Sequence, residues 1–397
     1  MTQGWRVFVL IAAVAAFIAP AAAQGPADRF GRFAEHDPDS EIVLDFSVWT
    51  EMLRAIVYDV GMSDRYIPKG RIIETGSRVT GQSTSRYRTE GNRVIFHLLE
   101  DFHLEALSAY RADLTALPDQ VSLARLNKDQ QLAYWLNLHN VIVIDEIAKR
   151  YPMRALNRVR MDDGEILHDS VVATIEGVPL TLTDIRNNIV GRYWDTPLAM
   201  YGFYYGAIGG PSLQARAFTG SSLRPVLSRN AREYVNALRG VENSEYTLRV
   251  SQIYFDNQRL FPNWPEDLFA HLDAFADEDV SALVETADRV RAIPFEWDIA
   301  DMTNGAGECG GGIRRNVQQD ISSGPGGGAA SLASCTPLPP TARNLTIEVQ
   351  QRRLRLIRDG ALGRVVITDV ATEDEDHSRS GGASGSLVGQ SEREPEG

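Results

Sequence analysis

The sequence predicts an α+β (or α/β) fold: a helix-rich single domain packed on a modest sheet around one buried central helix. Three observations carry this. Gln131 to Tyr151 (QLAYWLNLHNVIVIDEIAKRY) is apolar all round rather than along one stripe, which places a helix inside the domain. Segments with helical spacing recur on both sides of it. Short β-prone runs bounded by glycine or proline lie between them.

The elements follow in order. Ser47 to Gly61 places Trp49, Leu53, Ile56 and Val57 at helical spacing and ends on glycine. Arg93 to Leu99 fits either a strand or the start of a helix. Asp101 to Leu117 is helical, with Leu104, Leu107 and Tyr110 on one face and Pro118 behind them. Asn127 is an N-cap for the central helix, with Gln130 at the capping-box position, and the helix stops near Arg150, before Pro152. Val171 to Leu182 reads as two strands around Glu176-Gly177. Thr183 opens a short helix, and the aromatic stretch Leu198 to Ile208 reads as a buried strand running into Gly209-Gly210-Pro211. Leu223 to Leu238, Pro265 to Phe275 and Asp277 to Arg291 are expected to be helices, the last preceding a strand-like IPFEW.

The chain ends have a different character. Arg6, the apolar run Val7 to Ala19 and the small residues Ala21-Ala22-Ala23 form a signal-peptide pattern over 1–23. The run is shorter than the roughly 20 residues a membrane span needs, and Pro20 follows it. Residues 24–41 are a polar lead-in, and 302–340 are rich in Gly, Ser and Pro. The expected product is an exported soluble protein, periplasmic or extracellular, with no integral membrane segment after cleavage. In such a compartment Cys309 and Cys335 favour a disulfide, worth about 3 kcal/mol in the chain-entropy view; a metal pair or a reactive thiol is the alternative. Residues 341–370 read as an accessory β-hairpin, and 371–397 as a disordered acidic tail. The net charge of −13 excludes a non-specific nucleic-acid binder.

The central segment also carries a resemblance. Gln131, Ala133, Tyr134, Trp135, Leu136, Asn137, Leu138, His139 and Asn140, followed by Tyr151-Pro152, resemble the Q-x-A-F-W-I-N-L-Y-N hallmark of the bacterial domain of unknown function 547. Leu180 to Gly191 (LTLTDIRNNIVG), Tyr205 to Leu213 (YGAIGGPSL), Ser251 to Phe255 and EWDIAD extend the likeness over 42–301. The resemblance implies a distant relation to papain- or transglutaminase-like hydrolases. It also exposes departures. Where the family offers two cysteines this chain has Tyr205 and Gly210. Where the family has a glutamate, a histidine and a following arginine it has Arg186, Asn187 and Gly191. A thiol mechanism needs a thiolate and an activating base, and these positions supply neither.

Other chemistry is thin. The seven histidines form no HxxxH or HxH pair, so no metal and no cofactor is expected. Ser212 lacks a G-x-S-x-G elbow and reads as structural. Asn137 and Asn140 share a helix face and are expected to bond buried backbone near Gly206 to Gly210. Gln131, Asn137, Asn140, Arg186, Asn187 and Tyr205 form the candidate binding or structural polar cluster. His139, Asp145 and Glu146 are the weak catalytic candidates. The balance leans against an enzyme and towards a catalytically degenerate binding or interaction protein of the cell envelope, with an unidentified envelope ligand or protein as partner. The alternative is a cell-envelope hydrolase or transferase with relocated catalytic residues.

Overall fold

The computed structural model describes residues 28–67, 85–244, 246–305 and 340–358. The signal-peptide segment, Cys309, Cys335 and the acidic tail lie outside them. Within the described residues the architecture is α+β, and its centre is the helix read from the sequence. Helix α1 (Ser47–Ile56) buries Trp49, Leu53 and Ile56. It leads into the two-residue strand β1 (Val57–Tyr58), which pairs with β2 (Arg93–Val94). Helix α2 (Asp101–Gln120) then lies against α3 (Lys128–Arg150).

Helix α3 begins where the sequence says it should. The Asn127 side chain accepts a 3.0 Å bond from the Gln130 amide, satisfying one of the orphan donors of the first turn. The capping box is not completed, because Gln130 turns its side-chain oxygen to the Leu44 amide, 3.1 Å away. At the other end Tyr151 is extended ahead of Pro152, which disfavours helical backbone in the residue before it. Every residue from Gln130 to Ala148 is buried.

Pro118 sits inside α2 rather than after it. A proline within a helix leaves the carbonyl four residues earlier without its partner, here that of Leu114. The Tyr134 hydroxyl of α3 donates to that carbonyl at 3.2 Å. Tyr134→Phe is therefore expected to destabilise the fold by about 1 kcal/mol, the net worth of such a bond, as read by chemical denaturation. An unchanged midpoint would show that the carbonyl needs no replacement donor.

Strands β3 (Val171–Ile175) and β4 (Val178–Thr181) form the expected hairpin. Its two turn residues, Glu176 and Gly177, both have positive φ, as a type I′ turn requires. Glu176 is held in that unusual conformation while its carboxylate accepts from Ser122 Oγ and the Leu123 amide. After the hairpin, Thr181 and Asp184 exchange side-chain-to-amide bonds and start a wide π-helical turn, Asp184–Val190.

Leu198 to Ile208 is not a strand. Pro197–Gly202 is a 3-10 helix, and the chain beyond it is irregular. Here polar side chains from elsewhere replace a β-ladder. Asn230 Nδ2 donates to the Tyr201 carbonyl, Asn140 Nδ2 donates to that of Gly202, and the Tyr204 amide donates to Asn140 Oδ1. Gly202 admits the close approach, since a Cβ there would lie 2.7 Å from Leu136.

The remaining elements are α4 (Leu223–Val235), β5 (Val241–Ser244), β6 (Thr247–Ser251), α5 (Gln252–Asp256), α6 (Glu266–Phe275), α7 (Glu278–Thr286) and β7 (Arg289–Ile293). Strand β6 pairs antiparallel with β5 and parallel with β7. The expected helix over Asp277 to Arg291 thus ends early, and its last residues join a sheet that the sequence reading missed. The expected hairpin at 341–370 is also corrected. Its described part is helix α8 (Pro340–Arg358), and the Asp359-Gly360 turn lies outside the described residues. Glu348, Arg352 and Arg355 recur at helical spacing and reach Arg88, the carbonyls of Thr89 and Val60, and Asp64. These contacts suit a helix face rather than an alternating strand.

Candidate functional site

The polar residues of α3 divide into three groups by what they touch. Gln131 Nε2 donates to the carbonyls of Glu35 and Leu123 at 2.6 and 2.7 Å. Asn137 makes a reciprocal pair with the Phe218 backbone, donating at 2.7 Å and accepting at 3.0 Å. These amides bind loops to the helix, and neither their partners nor those of Asn140 lie at Gly206 to Gly210, where the partners of Asn137 and Asn140 were expected. Gly209 and Gly210 have their own amides bonded to the carbonyls of Glu296 and Ala207, which leaves neither amide free to cradle an anion.

Asp145 and Glu146 form the second group. Asp145 accepts from Ser108 Oγ at 2.8 Å, Arg111 Nη1 at 2.7 Å and Lys149 Nζ at 2.6 Å. Glu146 pairs with Arg111 and Arg150. Arg111 also donates to the Val172 carbonyl, joining α2, α3 and β3. Both carboxylates are thus engaged by cations and tie helices together. They are not positioned as acid and base.

His139 belongs to the third group, a buried array around Arg186. Arg186 Nη1 lies 2.9 Å from His139 Nε2 and 3.0 Å from His168 Nδ1. Its Nη2 donates to Thr183 Oγ1 at 3.1 Å, and its guanidinium lies 4.6 Å from the Tyr205 ring centre. The far nitrogen of His168 faces the Tyr205 carbonyl at 3.1 Å, and that of His139 faces Asn140 Oδ1 at 3.1 Å. The Phe203 ring meets His139 edge-on.

These partners fix where the protons sit. The Tyr204 amide can only donate, so the Asn140 atom it meets must be the oxygen. His139 Nδ1 must then carry a hydrogen, and its Nε2 lone pair accepts from Arg186. A backbone carbonyl likewise makes His168 Nε2 the donor, and its Nδ1 lone pair accepts from the same Arg186 amino group. Both rings are neutral, of opposite tautomers. Burial, with the Arg186 charge second, holds the His139 pKa well below the usual histidine range and brings that of His168 down to about 3. Burial also lowers the Arg186 pKa.

Of the expected polar cluster, the structure joins Asn140, Arg186 and Tyr205. Gln131 and Asn137 stand apart, and the half-buried Asn187 takes no part in the network. His168 and Thr183 were missed. Nothing local in the sequence connects His168 to a histidine on another element. Ser212 accepts from the Asn92 amide and from the buried Arg239, so it is structural. Among the described residues no three His, Cys, Asp or Glu side chains gather in a way that could hold a metal ion.

All members of the array lie within 123–235, the stretch that matches the family model described as Protein of unknown function, DUF547. The chain carries a domain of that family. The match takes in α3, the hairpin β3–β4, the π-helical turn and α4, and the domain of unknown function 547 core packs with flanking elements such as α1 and α2. Neither the curated proteins nor the solved structures yielded a match.

Proposed function

We propose that this domain of unknown function 547 protein is an exported, catalytically degenerate binding or interaction protein of the cell envelope. The carrying observation is that one guanidinium amino group occupies the lone pairs of both buried histidines. A general base must have a lone pair within reach of the proton it removes. His139 has none to offer, and Asp145 and Glu146 are held in ion pairs. The family's thiol positions are Tyr205 and Gly210, so neither supplies a thiol, and burial raises the Tyr205 pKa, which keeps its phenol protonated. Support for export is the signal pattern over 1–23.

The expected result is no turnover of activated esters or peptide substrates above the uncatalysed rate. Turnover that His139→Ala abolishes, with folding unchanged by circular dichroism, would overturn the reading and restore the hydrolase alternative.

A further inference from the structure

Helix α3 starts in a polar groove that shares no residue with the array around Arg186. The groove is open to solvent, holds about 490 Å³, and has walls that include His36, Lys128, Asp129, Gln130, Gly220 and Ser221. The first amides of a helix point outward along its axis with no carbonyl to receive them. Here the Asn127 side chain takes the Gln130 amide, and those of Lys128 and Asp129 have no acceptor among the described residues. The aligned peptides of this 23-residue helix add a partial positive charge at the same end.

Gln130 is the second and independent observation. Its side chain belongs to a residue only 6 % exposed, yet it lines the groove. The oxygen is taken by the Leu44 amide, and Leu44 is not part of the groove. The Nε2 end has no acceptor and lies against Gly220, a groove residue, where a Cβ would stand 2.5 Å from that nitrogen. A fixed carboxamide thus presents two hydrogens beside the free amides. Ser221 adds a hydroxyl whose contact with Thr219 is a long 3.4 Å. The lining is otherwise hydrophilic: apart from Gly220 and Pro38 every side chain in it is polar, and none of the exposed large apolar residues borders it. The Asp129 carboxylate opposes an anion here, and Lys128 with the helix end favours one.

We infer that this groove binds the phosphate monoester of a small hydrophilic molecule. Phosphate oxygens would take the Lys128 and Asp129 amides and Gln130 Nε2, as anions do at helix starts. The polar ester group would lie along His36 and Ser221. Three N–H donors and a hydroxyl suit the three free oxygens of a phosphate better than the two of a carboxylate. The inference goes beyond the binding-protein reading and does not rest on it.

The test titrates the full chain, by calorimetry at fixed ionic strength, with glycerol 3-phosphate, inorganic phosphate, acetate and glycerol. Saturable binding of glycerol 3-phosphate is expected, tighter than inorganic phosphate, with acetate weaker still and glycerol inert. The Lys128 and Asp129 amide resonances should shift with the ester. Gln130→Glu keeps the acceptor for Leu44 but replaces the donor by a negative oxygen, and it should weaken binding about tenfold or more. Gly220→Ala pushes the carboxamide aside with no change of charge and should weaken binding too. Asp129→Asn removes the opposing charge and should tighten it about threefold. No saturable binding of the ester, equal binding of inorganic phosphate or acetate, or unchanged affinity in Gln130→Glu and Gly220→Ala would each overturn the inference. Binding to vesicles containing phosphatidic acid but not to glycerol 3-phosphate would overturn it in favour of a lipid surface. Turnover of activated carboxylic esters would instead overturn the binding-protein reading and leave this site standing.

Discussion

Replacing Arg111 by methionine is expected to lower stability by about 3 to 5 kcal/mol, the scale for removing one partner of a buried ion pair. Arg111 serves two carboxylates at once, and Asp145, with its side chain only 1 % exposed, cannot turn to water when the guanidinium is lost. Ser108 and Lys149 would remain on Asp145. Glu146 would keep only Arg150. The Val172 carbonyl would also lose its donor, loosening β3 from α2. Lys149→Met is the control: its side chain is 41 % exposed, so the pair is screened and its loss should cost about 1 kcal/mol or less. Urea denaturation compares the two. Equal, small losses would show that Arg111 is no keystone.

The second large effect is on acid stability. His139 and His168 stay neutral in the folded protein to pH values well below the 6.5 of an exposed histidine, His168 to about 3. Between those limits the unfolded chain binds protons that the folded chain refuses. Stability therefore falls as pH falls, by about 1.4 kcal/mol per pH unit for each ring. From pH 7 to pH 5 the His168 ring removes about 2 kcal/mol, and His139 adds to the loss in the same direction. His271, brought down to about 4 by burial, acts in the same direction. Denaturation midpoints at several pH values measure the slope. His168→Gln, which keeps an acceptor for Arg186, should make it shallower, and a flat profile in the parent protein would refute the account.

The parts legible in the sequence are those fixed by neighbours along the chain. Asn127 caps the central helix three residues on, Tyr151-Pro152 closes it, and its all-round apolar pattern announces burial. The Glu176-Gly177 turn identified the hairpin. What failed depends on distant partners. The aromatic run at 198–208 has the composition of a strand, but its backbone is satisfied by Asn140 and Asn230 from two helices. The segment 344–358 alternates enough to suggest strands, yet its arginines dock as one helical face. Strands β5 and β6 went unseen although Leu248 and Val250 are buried at alternating positions. At the site, Arg186 could be picked out because it replaces a family glutamate. Its role could not, because two histidines from separate elements meet it only in the fold.

That meeting is the central claim, and nitrogen-15 NMR of the histidine rings tests it most directly. The account predicts a neutral Nδ1–H tautomer for His139 and a neutral Nε2–H tautomer for His168, with neither ring titrating between pH 8 and 5 (roughly the range in which exposed histidines change charge). A His139 ring that titrates near neutrality, with Nε2 free of Arg186, would contradict it and return the residue to the list of candidate bases.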